Sequence, residues 1–269
     1  MNKTKVILIT GASTGIGKDT ALRYLALGHI VYGAARSVEK MDDIVQAGGH
    51  AIKLDITDQT SIESCVKRIA DEQDSLDVLF NNAGYGEYGA VEDVSMERAR
   101  YQFEVNIFGL AAITKEILPI MRKQKSGLII NTSSIGGKIY TPFGAWYHAT
   151  KHALEGWSDV LRNEVKPFGI NVVILEPGSI DTPWNTIMAE NLVKNSQNGP
   201  YADMVKNMSK AQGGFRASSV SVIGKVMVKI LNAKNPKPRY MKGSGSILVA
   251  MRKLLGDRGI DAITRLILK

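Results

Sequence analysis

Short apolar runs rich in β-branched residues recur through the first two-thirds of the chain. Unbroken apolar character over ~4–8 residues is typical of strands that are buried on both faces of a sheet. These runs predict strands at Val6–Ile9, Ile30–Ala34, Ala51–Leu54, Val78–Phe80, Leu128–Asn131 and Asn171–Leu175.

Helix-length segments separate the predicted strands, at Ile16–Ala26, Thr60–Glu72, Met96–Arg122 and Ala145–Pro167. Strands that alternate with helices indicate right-handed βαβ units and a parallel sheet with helices on both faces. The sequence therefore predicts the α/β class, as one doubly wound, Rossmann-type domain over residues 1–269.

The last third of the chain is less regular. A helix at Ser218–Ala233 and a strand near Pro238–Met241 are expected to complete the sheet, whereas the polar segment 185–215 is expected to be a mobile insertion. No apolar run in the sequence approaches the ~18 residues that a membrane-spanning helix needs. The apolar stretch near the N-terminus is too short for a signal peptide, so a cytoplasmic protein is expected.

Composition changes this picture mainly through charge. The chain is 44% hydrophobic and 22% charged, as in an ordinary globular protein, and its single cysteine, Cys65, excludes an intrachain disulfide and fits a reducing compartment. The net charge of +8 would suit nucleic acid, an anionic membrane, a phosphorylated ligand or solubility alone. No basic stripe interleaved with stacking aromatics is visible in the sequence, so nucleic-acid binding is not expected.

A glycine-rich turn, Thr10–Gly17, lies between the first predicted strand and the first predicted helix. Glycines at this place allow a tight turn and the close approach of a pyrophosphate to backbone N–H groups at a helix N-terminus. The spacing of Gly11, Gly15 and Gly17 therefore favours a dinucleotide-binding turn, although glycine turns also have purely structural roles.

The end of the second predicted strand bears on which dinucleotide is bound. An acidic residue there would favour the free 2′-hydroxyl of NAD, but the chain has Arg36 and Ser37, which favour the 2′-phosphate of NADP. A solvated loop arginine is the alternative interpretation. Asp55 follows the third strand and is placed either to contact the adenine or to cap a turn.

Tyr147 and Lys151 lie four residues apart at the start of a predicted helix, so the phenol and the ammonium share one face. A nearby cation favours the phenolate and is expected to lower the tyrosine pKa. Ser134 ends the fifth strand, where it could hydrogen-bond a substrate oxygen that gains negative charge. His148 and His152 follow the pair by one residue and are interpreted as partly exposed helix residues.

Together these motifs resemble the short-chain dehydrogenase/reductase family over about Lys3–Thr182. The glycine turn has that family's spacing, and Asn81–Gly84 is similar to its sheet-stabilising motif. Pro177–Thr182 is similar to the segment that contacts the nicotinamide carboxamide. The branch of 17β-hydroxysteroid and retinol dehydrogenase-like enzymes is most similar, with weaker support from Asn235–Tyr240.

The resemblance implies an oxidoreductase that transfers a hydride between NADP(H) and a secondary alcohol, ketone or aldehyde, without a metal. Tyr147 would exchange the proton and Lys151 would lower its pKa and hold the nicotinamide ribose, while Ser134 would polarise the substrate oxygen. Asn106, within the long helix before the fifth strand, would hold a relay water. The predicted cofactor contacts are Gly11, Ser13, Thr14, Gly15, Ile16, Gly17, Arg36, Ser37, Asp55, Ile56, Asn82, Ala83, Gly84, Asn106, Tyr147, Lys151, Pro177, Gly178, Ile180 and Thr182.

The substrate is expected to be lipophilic, and steroid-like or retinoid-like, because apolar and aromatic residues fill the segments that should line the pocket around Ser134 and Tyr147. The same residues could instead belong to the core or to a subunit contact. The candidate pocket walls are Tyr85, Tyr88, Ile139, Tyr140, Phe143, Trp146, Trp184 and Met188. A non-catalytic, dinucleotide-binding redox sensor is the alternative function, but a sensor has no need of this acid–base set.

The basic excess is concentrated in the C-terminal tail. Residues 234–269 contain nine basic and two acidic residues, which accounts for almost all of the net charge of +8. Their apolar residues suit amphipathic helices that either cover the substrate pocket or a neighbouring subunit, or attach loosely to an anionic membrane surface. The long helices at 96–122 and 145–167 carry surplus apolar residues. The family that the chain resembles packs these helices across subunits, so the resemblance implies a homodimer or a homotetramer, with a tetramer preferred.

Overall fold

Seven parallel strands form one sheet in the computed structural model, which describes residues 3–213 and 216–268. They are β1 (Val6–Thr10), β2 (Ile30–Ala35), β3 (His50–Lys53), β4 (Val78–Asn81), β5 (Gly127–Thr132), β6 (Ile170–Pro177) and β7 (Arg239–Lys242). Their order across the sheet is β3-β2-β1-β4-β5-β6-β7. The doubly wound fold is thus confirmed, and the order reverses between β1 and β4, where such sheets form a ligand crevice.

Helices cover both faces of this sheet and occupy its C-terminal side. They are α1 (Gly15–Ala26), α2 (Asp42–Gln46), α3 (Gln59–Glu72), α4 (Met96–Phe103), α5 (Leu110–Gln124), α6 (Ala145–Val165), α7 (Pro183–Ser196), α8 (Ala202–Gly213), α9 (Ser221–Asn232) and α10 (Ile247–Leu268). The strands and helices predicted in the first two-thirds of the chain are present, with ends within two residues of the predicted ones. Helix α2 was not predicted, because five residues are too few to show a helical period.

The core consists of two apolar layers, one on each face of the sheet. Alternate side chains of β1 point to opposite faces, so Leu8 joins the layer under α3 and α5, whereas Ile7 and Ile9 join the layer under α1 and α9. Both strand faces are buried, which explains why the strands are continuous apolar runs rather than alternating ones.

The long helix predicted at 96–122 is continuous but changes its winding in the middle. Residues Glu104–Gly109 form a wider π-helical turn between α4 and α5, a feature frequent at functional sites. A Cβ atom on Gly109 would lie 2.3 Å from the carbonyl oxygen of Ile56, so glycine is needed where this turn meets the loop after β3. The turn directs Asn106 inward, where it is buried.

The segment 185–215 lies outside the sheet, as expected, but it is helical rather than irregular. Helices α7 and α8 occupy residues 183–213, while Gly214 and Phe215 lie outside the described residues. Pro183 stands at the first position of α7, where its fixed φ favours a helix start. The apolar side chains of Trp184, Met188 and Leu192 follow at four-residue spacing and pack into a third apolar cluster.

The C-terminal tail forms α10, which bends at Gly256, where the φ angle is 63°. Positive φ is a conformation that glycine adopts without strain, so the bend is encoded locally. Lys269 lies outside the described residues. Within the described part of the chain, none of the helices combines the length and apolarity needed to span a bilayer.

Candidate active site

The glycine-rich turn between β1 and α1 packs tightly against the loop that follows β4. Gly11 and Gly15 have φ angles of 66° and 56°, which favour glycine. A Cβ atom on Gly11 would lie 2.8 Å from the Cα atom of Ala83, and one on Gly17 would lie 2.4 Å from the carbonyl oxygen of Gly11. Each of the three glycines is therefore required by its φ angle, by the lack of space, or by both.

Hydrogen bonds hold the loop after β4 to this turn. The hydroxyl of Thr10 accepts hydrogen bonds from the backbone amides of Asn82 and Ala83, both at 3.0 Å. The side-chain amide of Asn82 donates to the carbonyl oxygen of Gly11 at 3.1 Å. The resemblance implies a sheet-stabilising role for this loop, and these bonds tie β1 to β4 at the point where the strand order reverses.

The turn forms a cradle that fits the pyrophosphate of a dinucleotide. The side chain of Thr14 makes no capping hydrogen bond at the start of α1, so first-turn amides can serve an anionic group. Across the crevice, a Cβ atom on Gly15 would lie 3.1 Å from Cγ2 of Thr182, which immediately precedes α7. The predicted phosphate turn and the segment Pro177–Thr182 thus border the same crevice.

The remaining predicted cofactor contacts line this crevice or support it. Ser13 and Ile16 belong to the turn and are half-buried, and Ser37 precedes a short helical turn after β2. Ile56 and Ile180 are buried. Ile56 and Ile180 therefore belong to the two core layers, and their contact with a cofactor stays a prediction.

Arg36 and Asp55 lie close to each other beyond the ends of β2 and β3. Arg36 is exposed, and its guanidinium donates to the hydroxyl of Tyr101 at 3.2 Å. Asp55 accepts from the amide and the hydroxyl of Thr57, and these bonds, together with the charge of Arg36, hold the pKa of the Asp55 carboxyl below its usual range. Asp55 therefore caps a turn, and its contact with an adenine stays a prediction.

Tyr147 lies in the first turn of α6, with its phenol facing the end of β5. The residue is buried, and the hydroxyl of Ser134 is within hydrogen-bond reach of the phenol. Ser134 in turn accepts a hydrogen bond from the amide of Gly136 at 3.0 Å. Burial raises the pKa of Tyr147 to about 12, although the bond with Ser134 lowers it.

Lys151 lies one helical turn after Tyr147 and is buried as well. Its ammonium donates to the carbonyl oxygen of Thr132 at 2.7 Å and lies 5.8 Å from the centre of the Tyr147 ring. Burial lowers the pKa of Lys151 to about 8, while the charge of Glu155 raises it. Within the polypeptide the pKa of Tyr147 is lowered only by Ser134 and not by Lys151, so the expected effect of the lysine is not seen there.

Asn106 faces the same site from the π-helical turn. Its side-chain amide donates to the carbonyl oxygen of Tyr85 at 3.0 Å and to the hydroxyl of Thr150 at 3.1 Å, and its oxygen accepts from the amide of Tyr85. A Cβ atom on Gly84 would lie 3.1 Å from Oδ1 of Asn106 and 3.9 Å from Nζ of Lys151. The structure thus brings together all four members of the tetrad that the resemblance implies.

The interpretation of His148 as a partly exposed helix residue was wrong. Its ring is buried, and its Nε2 accepts a hydrogen bond from the amide of Thr141 at 3.0 Å. The proton is therefore on Nδ1, which donates to the carbonyl oxygen of Gly136 at 2.8 Å. His148 thus fixes the loop that carries Ser134, whereas His152 is exposed as expected.

Aromatic rings form the wall beside Tyr147. The ring of Trp184 lies 5.2 Å from the Tyr147 ring, and that of Tyr88 lies 5.7 Å from it, between centroids. Met188 and Phe143 belong to the same apolar cluster. Residues predicted from separate segments of the sequence therefore form one apolar surface next to the phenol.

Two of the predicted wall residues lie elsewhere. The hydroxyl of Tyr140 donates to Asp261 at 2.8 Å, and the guanidinium of Arg252 lies 4.8 Å from its ring centre, so Tyr140 holds α10 rather than the wall beside Tyr147. Trp146 precedes Tyr147 by one residue and therefore faces the other side of α6. There it lines a surface groove with Met96 and Phe108.

Sequence reasoning missed a buried charge cluster next to Lys151. The carboxyls of Glu155 and Glu176 are both buried, and both lie against the cations of Lys138 and Arg239. Burial, and then the charge of Glu155, raise the pKa of Glu176 to about 7. Glu176 immediately precedes Pro177, so the cluster joins α6, which carries Glu155, to the segment Pro177–Thr182 that borders the crevice.

Most of the chain is similar to one known protein family. Residues 5–192 match the family model described as short chain dehydrogenase. A 3-ketodihydrosphingosine reductase of Bacteroides thetaiotaomicron is 38% identical, with 89% of this chain and 88% of that protein covered. An NADPH-dependent 3-dehydrocapnine reductase of Ornithobacterium rhinotracheale is 31% identical, with 95% and 94% covered.

Solved structures agree with the fold over nearly the whole length. A short-chain dehydrogenase from Streptomyces avermitilis superposes with a TM-score of 0.83 at 32% identity, and 98% of each chain is covered. Other solved chains of this fold were determined with NADP+ or with NADH. The similarity to the Streptomyces protein therefore includes the tail as well as the sheet.

Proposed function

The chain belongs to the short-chain dehydrogenase/reductase family of oxidoreductases that act on CH–OH and C=O groups with a nicotinamide cofactor, and on that premise we propose that it reduces a lipophilic ketone with NADPH. When bound, the nicotinamide supplies or accepts the hydride. The residues that would hold the dinucleotide are those of the glycine turn, Arg36, Asn82–Gly84, Lys151 and Pro177–Thr182.

The observation that carries this proposal is the position of the Tyr147 phenol. It is buried, it lies within hydrogen-bond reach of Ser134, and it adjoins an apolar wall at the carboxyl end of the sheet. Tyr147 donates the proton to the carbonyl oxygen of the substrate. Ser134 donates a second hydrogen bond to that oxygen as negative charge develops on it.

Lys151 and Asn106 support the proton transfer. The pKa of Lys151, lowered to about 8, allows the ammonium to lose or regain a proton near neutral pH. Asn106 holds the loop at Tyr85 through two hydrogen bonds, makes a third to Thr150 of α6, and borders Gly84 opposite Lys151. We assign Asn106 to the orientation of a water that connects the lysine with solvent.

The apolar surroundings of the phenol support a lipophilic substrate. Trp184, Tyr88 and Met188 offer ring faces and a thioether next to the phenol. The names of two relatives, a 3-ketodihydrosphingosine reductase and a 3-dehydrocapnine reductase, support a long-chain keto compound in particular. A steroid-like or retinoid-like ketone is the other lipophilic class to be tested.

The preference for NADPH is supported by Arg36. The two residues directly after β2 are Arg36 and Ser37 rather than an acidic residue, and a guanidinium at that place can pair with a 2′-phosphate through two hydrogen bonds. The name of one relative includes dependence on NADPH. Arg36 is exposed, so its charge remains accessible to a ligand.

We also propose a homo-oligomer in the cytoplasm. Met96, Phe108 and Val160 are exposed apolar residues on α4, the π-helical turn and α6, and they support a subunit interface formed by these helices. Sedimentation velocity distinguishes a dimer from a tetramer. The buried free thiol of Cys65 is compatible with a reducing compartment.

Turnover of a ketone panel tests the function. With NADPH, we expect reduction of long-chain or steroid ketones in preference to sugars and short polar ketones. Tyr147→Phe should lower kcat by at least a thousandfold while the affinity for NADPH stays within about threefold. Tyr240→Phe is the matched control, since among the described residues its hydroxyl accepts a hydrogen bond only from the amide of Lys237. Turnover that survives Tyr147→Phe would refute the assignment.

A further inference from the structure

Helix α10 exposes its larger apolar face. In its first part, Ile247, Leu248, Leu254 and Leu255 are exposed, and Leu254 is 85% exposed. At about 100° per residue these positions share one face, whereas Val249 lies on the opposite face and is buried against the protein. The helix therefore contacts the protein through one side and presents apolar side chains on the other.

The part of α10 beyond the bend continues this pattern. Ile263, Leu266 and Ile267 recur at helical spacing and are exposed, with Leu266 at 72%. Contiguous exposed apolar residues on a water-facing surface mark an interaction site rather than a solvated face. We call the following residues the apolar face of α10: Ile247, Leu248, Leu254, Leu255, Ile263, Leu266 and Ile267.

The charges on α10 are predominantly positive and free. Lys253, Arg258 and Arg265 are exposed, and among the described residues they form no ion pair. The two acidic side chains of the helix are engaged, since Asp257 pairs with Arg252 at 3.3 Å and Asp261 accepts from the Tyr140 hydroxyl. The exposed charge of α10 is therefore predominantly positive and complements an anionic surface.

The apolar face adjoins the wall of the proposed substrate site. Leu268 follows Ile267 directly and packs on the cluster that contains Trp184 and Tyr147. Its carbonyl oxygen accepts a hydrogen bond from Asn207 of α8 at 3.3 Å. The end of α10 thus connects the exposed apolar surface to the site at which a lipophilic ketone would react.

We propose that α10 docks this protein on an anionic phospholipid bilayer. The helix lies in the plane of the interface, with its apolar face among the acyl chains, and the long side chains of Lys253, Arg258 and Arg265 reach the headgroups from the polar side of the helix. This position places the substrate site next to the lipid phase. The docking itself is independent of the proposed function, whereas the delivery of substrate from the bilayer rests on it.

Co-sedimentation with vesicles tests the docking. The full-length protein should sediment with vesicles of phosphatidylcholine that contain roughly one-third phosphatidylglycerol. Its affinity for vesicles of phosphatidylcholine alone should be lower by on the order of a hundredfold, because each of the three cations contributes about fivefold to binding of an anionic surface. Binding to the anionic vesicles should weaken as salt is raised. Wild-type protein that stays in the supernatant at low salt would overturn the proposal.

Matched variants identify the surface responsible. Leu254→Ser with Leu266→Ser should abolish sedimentation, whereas Leu27→Ser with Val45→Ser, two exposed apolar residues outside α10, should not. Reversal of Lys253, Arg258 and Arg265 to Glu should weaken binding to the anionic vesicles to the level that wild type shows with phosphatidylcholine alone. Reversal of the three exposed lysines of the α9 region makes the same change in net charge and should leave binding intact; these are Lys225, Lys229 and Lys234.

Two further measurements distinguish docking on a bilayer from a subunit contact and from a failure of the proposed function. One outcome is that the Leu254→Ser, Leu266→Ser variant changes the sedimentation coefficient of the oligomer while neither the wild type nor this variant binds vesicles. In that case the face is a subunit interface and the docking proposal fails. Turnover of a soluble ketone is measured on the same preparations. Absence of turnover with intact vesicle binding refutes the proposed function alone, whereas turnover without vesicle binding refutes the docking alone.

Discussion

Glu155 and Glu176 share two cations in the protein interior. Nζ of Lys138 lies 2.7 Å from Oε2 of Glu155 and 3.7 Å from Oε1 of Glu176, and Nε of Arg239 lies 3.1 Å and 3.4 Å from the same two atoms. Asp159 also pairs with Arg239. Glu155 is on α6 with Tyr147 and Lys151, and Glu176 directly precedes Pro177, so the shared cations join two segments of the site.

The charge on Glu176 should make stability depend on pH. Because its pKa is raised to about 7, the folded protein binds more protons than the unfolded chain between the ordinary glutamate pKa and about 7. The free energy of unfolding contributed by this group therefore falls as pH rises through that window. Glu176→Gln cannot ionise, so its stability relative to wild type should rise between pH 5 and 8, on the order of 2 kcal/mol.

Urea denaturation at pH 5, 6, 7 and 8 measures this difference. Glu164→Gln is the matched control, because Glu164 is exposed on α6, the helix that carries Glu155. Its stability relative to wild type should stay constant over the series. A constant difference for Glu176→Gln as well would show that the buried pair does not hold a proton near neutral pH.

Local patterns made the sheet and the Tyr147–Lys151 face predictable. A four-residue spacing within one helix fixes which side chains are neighbours, whatever the tertiary structure. The charge cluster lacked such a signal, because Lys138, Glu155, Glu176 and Arg239 are far apart in sequence and meet only through the pairing of β6 with β7 and the packing of α6. Buried ion pairs between distant elements produce no periodic pattern in the sequence from which they could be predicted.

His148 shows how a local rule can mislead. Its position one residue after Tyr147 places it off the catalytic face, but the loop after β5 closes over that side of α6. A Cβ atom on Gly136 would lie 3.0 Å from Nδ1 of His148, and one on Gly144 would lie 2.8 Å from its ring. These two glycines were the available signal, since they mark a close backbone approach.

Replacement of Lys151 by Met should abolish turnover, whereas its effect on stability should depend on pH. Burial lowers the pKa of Lys151 to about 8, so between about 8 and the ordinary lysine pKa the folded protein binds fewer protons than the unfolded chain. Wild-type stability therefore rises with pH through that window. Lys151→Met lacks this rise, so its stability relative to wild type should be highest at pH 7 and decline towards pH 10, while turnover is lost.

Equilibrium unfolding at pH 7, 8.5 and 10 tests this expectation alongside NADPH oxidation. Lys123→Met removes an exposed ammonium from α5 and serves as the control. It should keep its activity and a constant stability relative to wild type. If Lys151→Met is equally destabilised at every pH, the buried ammonium is not the costly group that its pKa indicates.

His148 should stabilise the Ser134 loop only while its ring is neutral. His148→Phe leaves the amide of Thr141 and the carbonyl of Gly136 without their partner, which costs roughly 2–4 kcal/mol at pH 7.5. Burial lowers the pKa of His148, so the unfolded chain binds more protons below the ordinary histidine pKa and wild type loses this stability as pH falls. The cost of the substitution should therefore shrink at pH 5.

Thermal unfolding at pH 5 and 7.5 measures that change, and kcat at pH 7.5 reports on the position of Ser134. His152→Phe is the control, because its ring is exposed on the same helix. We expect kcat of His148→Phe to fall by about tenfold with an unchanged affinity for NADPH. An equal cost at both pH values would assign His148 to simple packing.

Arg36 should determine the cofactor preference. Loss of a bidentate guanidinium contact with a 2′-phosphate weakens binding by roughly 1.5–3 kcal/mol, so Arg36→Leu should reduce the affinity for NADPH by about tenfold to a hundredfold. NADH lacks that phosphate, and its affinity should change by less than about threefold. Arg36 is exposed and hydrogen-bonded only to the Tyr101 hydroxyl among the described residues, so thermal stability should be unaffected.

Fluorescence titration with both cofactors measures the two affinities. Lys40→Leu removes a neighbouring exposed cation and should leave the ratio of the affinities unchanged; an equal loss of NADPH affinity in this variant would assign the effect to general charge rather than to a phosphate contact.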